Sequence, residues 1–510
     1  LLAGGPLYAQ LVDATKAPNT ANEGIHKSLA QQIGAGRGDL TTAGSSTYIV
    51  KRDPFRSIRR GRQLFQRKFS LGDGLGPITG DGSGDINTTI EIGAGFADSC
   101  AGCHGRPRGS AGVGGDVATR PDSRDAPHLF GLGLKEMLAD EITTALRNLR
   151  ARALAEARAT GRDATVRLTA KGISFGRITA RPNGTLDTSQ VEGIDADLRV
   201  RPFFHHGATI SIREFVVGAL KAEMGLQTVD PELMIASRGG TFTTLSGMVL
   251  NGALDKIEAP PTDDPNADPD GDGVRNEIPI ALVDHLEFYL LNYFKAGRYE
   301  ETVSARLGRT IFDRIGCGSC HVDDLRIDRD RRVADVETEY DPRRGIFNSL
   351  FATATPLFRT QASPGGPDLK LPKLDPFMVR NIFTDFKRHD LGPNFHERNY
   401  DGTMRTHFLT TPLWGVGSTG PYGHDGRSIN LTEVILRHGG DARRSRDNYA
   451  RLGSSEQGFV LDFLNSLVLF APDDTASSLD PGNRSDPSFP QKGHGSIKLT
   501  VLFNDPADIE

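Results

Sequence analysis

The sequence predicts a mostly α chain of two related modules, with long loops and an extended C-terminal tail. Three observations predict it. Short apolar stripes at helical spacing are separated by stretches rich in the chain's 59 Gly and 29 Pro. Three pairs of matching segments occur in the same order around a doubled cysteine motif. At 510 residues the chain is also too long for one compact core.

The first matching pair lies upstream of the cysteines. Gly61-Arg62-Gln63-Leu64-Phe65 corresponds to Gly308-Arg309-Thr310-Ile311-Phe312, and each reads as a helix carrying an apolar pair inward. The second pair lies downstream, with Leu129-Phe130-Gly131-Leu132-Gly133 on Leu413-Trp414-Gly415-Val416-Gly417. In the third, the stretch from His205 to Glu214 is laid without a gap on the stretch from His424 to Glu433. Each copy of the third contains a capping box, Ser211 with Glu214 and Asn430 with Glu433, so a helix is expected to start at the same place in both.

These matches divide the chain. Residues 1–44 read as an N-terminal extension, 45–255 as the first module, 256–277 as an acidic linker and 278–470 as the second module. Residues 471–510 read as a tail rich in Pro, Ser and Asp, with a strand expected at Ile497–Phe503. A net charge of −5 gives no case for nucleic acid or an anionic membrane surface. No apolar run is long enough to span a membrane.

All four cysteines lie in Cys-x-x-Cys-His: Cys100, Cys103 and His104, then Cys317, Cys320 and His321. Two thiols one turn apart reach the two vinyl groups of a haem, and the adjacent His then stands under the iron. A redox dithiol or a four-Cys zinc site would not require a His beside the second Cys in both copies. Two covalently attached haem c groups are therefore expected, and the modules become two cytochrome-c-like haem domains related by divergent duplication.

The third match separates the two irons. In the second module the capped helix ends at His438, with Leu431, Val434 and Ile435 on the same face. His438 is expected as the sixth ligand of haem 2; a His favoured by the helix dipole is the alternative. The same register puts Ala219 opposite it in the first module, and alanine cannot bind iron. One closed and one open haem is the layout of an enzyme with its own electron relay. Glu223 lies one turn beyond Ala219 and is the candidate acid/base for O–O cleavage. His205 and His206, just before that helix, are the other candidates.

These residues resemble the bacterial di-haem cytochrome c peroxidase superfamily, which includes the methylamine dehydrogenase maturation enzyme, and within it the di-haem oxidoreductase branch. The resemblance runs through Arg60–Phe65, Asp73–Pro77, Cys100–Gly105, Ala126–Gly133, Asp268–Glu277, Cys317–His321, Phe386–Pro393 and Thr411–Ala442. It implies that Glu223, in Glu223-Met224-Gly225, matches the family's catalytic glutamate. It also sets His438 where the family has Met or Tyr, and His205 where the peroxidases carry a Trp between their haems. The only tryptophan here, Trp414, is elsewhere.

The linker contains Asp268-Pro269-Asp270-Gly271-Asp272-Gly273, with carboxylates at positions 1, 3 and 5 and Gly at 6 of a calcium-type loop. Val274 could offer a carbonyl and Asn276 an amide. Position 12 is Pro279, so Glu277 is the substitute carboxylate. A solvated acidic linker is the alternative reading. His389 and Asp390 lie in one of the family-like segments, where lining the second haem is one reading and a structural hydrogen bond the favoured one; Tyr289 and Tyr293 are expected to pack in the core.

The expected function is an exported, periplasmic or extracellular di-haem oxidoreductase. Peroxide would be reduced at haem 1, with electrons relayed through haem 2 from an external donor such as a small cytochrome or copper protein. An electron-transfer cytochrome in a larger assembly, and dioxygen chemistry on an organic substrate, remain the rival readings. An export signal is expected to have been removed; Leu1–Ala9 is too short to be assigned as its tail.

Overall fold

The computed structural model describes residues 28–76, 97–105, 111, 116–117, 124–293, 302–340, 350–399, 402–467 and 498–499. Leu1–Ala9, most of the N-terminal extension and nearly all of the tail lie outside these residues. Within the expected tail strand, Lys498–Leu499 pairs in parallel with Phe351 and Ala352.

Eight helices frame the site. They are α1 (Pro54–Gln66), α2 (Cys100–His104), α3 (Leu132–Thr160), α4 (Ile212–Met224), α5 (Ile280–Asn292), α6 (Val303–Arg314), α7 (Leu431–Arg437) and α8 (Ser454–Ser466). The strands named below are β1 (Ala164–Ala170) and β2 (Ile173–Ala180).

The expectation of a mostly α fold built from two cytochrome-c-like domains is overturned. Among the described residues the helices share the chain with nine two- or three-stranded sheets, most of them antiparallel. The physical reason is a period of two where a period of 3.6 was expected. In the β1–β2 hairpin, Leu168, Ala170, Ile173, Phe175, Ile178 and Ala180 are buried while Thr165, Arg167 and Thr169 face solvent. Further hairpins, such as Phe358–Gln361 with Leu369–Pro372, fill the stretch between Cys317 and α7. Paired strands there satisfy the backbone groups that loops were expected to leave to water. A single apolar core also runs across both halves, from Val50 to Trp414. A smaller cluster gathers α6, α7 and α8.

The repeats have a structural cause that their few identities conceal. Gly61 in α1 and Gly133 in α3 both press on the backbone of α5, where a Cβ would overlap the carbonyl oxygens of His285 and Leu291 respectively. Gly308 in α6 and Gly417 press in the same way on α8, against the carbonyls of Phe459 and Asn465. Both pairs of carbonyls are related by the same 174 positions, and α5 and α8 are each 13 residues long. The aromatic contacts follow the same relation. Phe65 meets Tyr289 edge-on at 5.9 Å, and Phe312 meets Phe463 edge-on at 5.4 Å. In packing, therefore, α5 does for the first cysteine motif what α8 does for the second.

The two capped helices start as the sequence predicts. Ser211 accepts from the amide of Glu214, and Asn430 from that of Glu433. In both copies the glutamate reaches one residue further back than a standard capping box, to the amides of Ile210 and Ile429. Helix α4 is then locked to α5 by a buried guanidinium. Arg213 is bonded to Asp230 (2.6 Å), Asp284 (3.0 Å) and Glu287 (2.9 Å), all fully or nearly fully buried. Such a network holds position firmly, because removing one member strands buried charge.

Candidate functional site

Both cysteine motifs open into one cavity of about 770 Å³. Cys103 and His104 line one end, and Cys317, Cys320 and His321 the other. Ser99 caps the single turn of α2 by accepting from the amide of Gly102. That turn brings Cys100 and Cys103 to one side, followed by His104.

The two histidines are held alike. His104 Nδ1 stands 2.7 Å from the carbonyl oxygen of Pro127, and His321 Nδ1 stands 3.0 Å from that of Phe383. A carbonyl can only accept, so in each ring Nδ1 carries the proton and Nε2 is left with its lone pair. Burial lowers the basicity of His321 to about 4, which keeps that lone pair available near neutral pH. Burial also pushes the thiols of Cys100 and Cys317 up to about 12. Cys103 is raised to about 11, first by burial and then by the carboxylate of Glu223.

His438 is placed at the second end of the cavity. It is the C-cap of α7, one position beyond the last helical residue, where its Nδ1 donates to the carbonyl of Val434 at 2.6 Å. It shares the arrangement of His104 and His321, with Nε2 free of that bond. The two rings are near enough for His438 to depress the basicity of His321. Ala219 and Glu223 line the same cavity from α4. The duplicated helices thus present an imidazole at one end and a methyl group with a carboxylate at the other.

His205 and His206 also line the cavity. His205 Nε2 lies 3.4 Å from the carbonyl of Asp125, and its ring centre is 6.0 Å from that of His424. The repeat lays His205 on His424, so two equivalent residues meet across the seam between the halves. His424 was not singled out as a site residue by sequence. It is buried, stacked on Phe408 at 4.0 Å, with Nε2 3.4 Å from a Glu397 oxygen. The signal was present in the repeat itself, which matches His205 with His424.

Trp414 and His128 also line the cavity, their ring centres 6.5 Å apart. His389 lines the cavity and donates to Asp385 at 2.9 Å, while Asp390 receives His396 at 2.8 Å. Burial alone would lower the basicity of His389, but Asp385 and Cys320 raise it to about 10. Tyr289 and Tyr293 are buried in the core. In the acidic loop, donor atoms of Asp268, Asp270 and Asp272 come within 4.8 Å of one another. Val274 gives its amide to Asp272, and Asn276 is exposed with left-handed backbone (φ 51°).

A cavity fed by two Cys-x-x-Cys-His motifs defines the class as a haem-binding redox protein. Residues 325–467 match the family described as "Di-haem oxidoreductase, putative peroxidase", the branch that the motifs resemble. The matched stretch begins just after His321 and takes in His389, Trp414, His424 and His438. It brings haem as the cofactor and oxidoreduction as the class of chemistry. No curated protein matches the chain. Among the described residues, no helix is long and apolar enough to cross a membrane.

Proposed function

We propose that the chain is an exported di-haem c-type oxidoreductase of peroxidase type, reducing peroxide beside the first motif with electrons received beside the second. The observation that carries this reading is the unlike character of the two ends of the cavity. His438 is near enough to His321 to act on its basicity, whereas from the matching helix Ala219 and Glu223 line the cavity, with Glu223 near enough to Cys103 to act on its thiol.

The residues fit two haems. Each motif offers two thiols and an imidazole whose Nδ1 is held by a backbone carbonyl. Cys100 and Cys103, and likewise Cys317 and Cys320, would form the thioether links, with His104 holding the iron at the first motif and His321 and His438 holding it at the second. When bound, the haems supply one-electron chemistry and an iron for the oxidant. Glu223 serves as the acid/base that moves a proton from one peroxide oxygen to the other as the O–O bond breaks. His205 and His206 supply further hydrogen bonds to the oxidant. His438 excludes small oxidants from the second site. The donor is an external small cytochrome or copper protein. Export belongs to the proposal because bacteria attach haem c outside the cytoplasmic membrane.

The test is low-temperature EPR of the oxidised protein before and after peroxide. One high-spin signal beside one low-spin bis-imidazole signal is expected, with only the high-spin iron reacting. Two unreactive low-spin signals would overturn the reading in favour of an electron carrier.

A further inference from the structure

Lys135 differs from the other cations that line the cavity, Lys221, Arg405 and Arg446. Arg405 faces Glu397 at 3.6 Å, Arg446 is bonded to Asp447 at 2.6 Å, and Lys221 is engaged as well. Among the described residues the Lys135 ammonium has no hydrogen bond and no carboxylate. Its Nζ lies over the face of Phe203, 5.7 Å from the ring centre. Such a contact offsets only part of the cost of enclosing a charge. Lys135 is partly exposed and lines the cavity, so a haem in that space buries its ammonium further. Burial already lowers its basicity to about 8, and no anion works against that burial. Near neutral pH the side chain therefore keeps its charge and lacks a counter-charge.

Two further observations tie this ammonium to the first motif. Lys135 lies in the first turn of α3, and both it and His104 act on the basicity of His128. His128 adjoins Pro127, whose carbonyl accepts from His104. The repeat adds a contrast between the halves. Extending the match of Leu129–Gly133 with Leu413–Gly417 by two residues puts Lys135 opposite Thr419, and both line the cavity. One half thus brings a cation where the other brings a neutral hydroxyl.

We propose that Lys135 is the counter-charge of a propionate of the haem at the first motif, and that it raises the potential of that haem. The inference rests on haem occupying the cavity. A haem brings carboxylates into the same enclosed space, and an ammonium without a carboxylate is the partner they need there. An unpaired carboxylate near the iron favours the ferric form, which carries one more positive charge. Pairing that carboxylate with an ammonium cancels the bias. Lys135 acts through the propionate and is a positioning residue.

The experiment uses the full haem-loaded chain, with two haems per chain checked by the pyridine haemochrome assay. Resonance Raman reads the propionate bending modes, which should shift in Lys135→Met and stay near the parent in Lys135→Arg. In a spectroscopic redox titration, one haem of Lys135→Met should favour the ferric form about tenfold more, a fall of about 59 mV for one electron. The haem that moves should not be the one that moves in His438→Met. Lys135→Gln takes the place of Lys135→Met if that variant fails to load haem. Unmoved propionate modes with unmoved potentials overturn the proposal. So does an equal fall in Lys135→Arg, which would point to lost packing rather than lost charge. Loss of an amine-ligated low-spin EPR signal in Lys135→Met would put the nitrogen on the iron instead. A parental potential that follows acetate concentration, with propionate modes unmoved in the variant, would give the place to a free anion. Either result overturns the pairing. Fewer than two haems in the parent would overturn the haem reading and this inference with it; with both haems present, the variants test Lys135 alone. None of these readouts involves turnover.

Discussion

Gly61 lies so close to the carbonyl oxygen of His285 that no side chain fits between α1 and α5. Gly308 stands in the same relation to Phe459 in the second half. Gly61→Ala and Gly308→Ala should each cost about 1–3 kcal/mol or more, because backbone must move to admit the methyl group. Gly458→Ala is the control. It lies in α8 with nothing near its Cβ position, so it should gain about 0.5–1 kcal/mol from helix propensity. Denaturant unfolding of the three variants distinguishes these signs.

His438→Met should raise the potential of the second haem, because thioether ligation favours the reduced iron. A rise on the order of 0.1 V is expected, within the roughly 0.8 V that axial ligands span. A spectroscopic redox titration should show one haem shifted and the other unmoved. An unchanged pair of potentials would remove His438 from the iron.

Glu223→Gln keeps size and polarity but cannot accept a proton. Peroxide consumption should fall about 10²–10⁴-fold, the usual worth of a positioned acid/base, with haem content and resting EPR spectrum unchanged. Turnover at the parental rate would assign the proton transfer to another group, with His205 and His206 next to be tested.

His128 gives a pH dependence with a definite sign. Burial, helped by Lys135, lowers its basicity from the usual 6.5 to about 3. Below pH 6.5 the unfolded chain takes up this proton while the folded protein does not. Stability should therefore fall as pH drops from about 6.5 towards 3, by up to about 1.4 kcal/mol per pH unit from this one group. Urea unfolding at pH 7 and pH 5 should show a smaller loss in His128→Gln than in the parent.

The chemistry was legible in the sequence because it depends on spacing. The two cysteine motifs, the capped helices and the placement of Ala219, Glu223 and His438 along the cavity all follow from residue types at fixed intervals. Apart from the tail strand, the strands are absent from the sequence reading although β1 and β2 alternate cleanly, because that reading rests on helical spacing and on stretches rich in Gly and Pro. The equivalence of α5 and α8 was hidden for a different reason. What the two helices share is a pair of backbone carbonyls facing glycines, and a carbonyl leaves no mark on residue identity.

The meeting of His205 with His424 bears on how unlike halves can arise. When identical chains pair across a two-fold axis, one substitution alters both faces of the contact at once. Two copies paired in that way must keep both sides of the contact the same. Within one polypeptide that constraint is absent, and each side can change alone. Alanine at 219 and histidine at 438, at matched positions of two helices, are a difference that identical paired chains have no means of encoding.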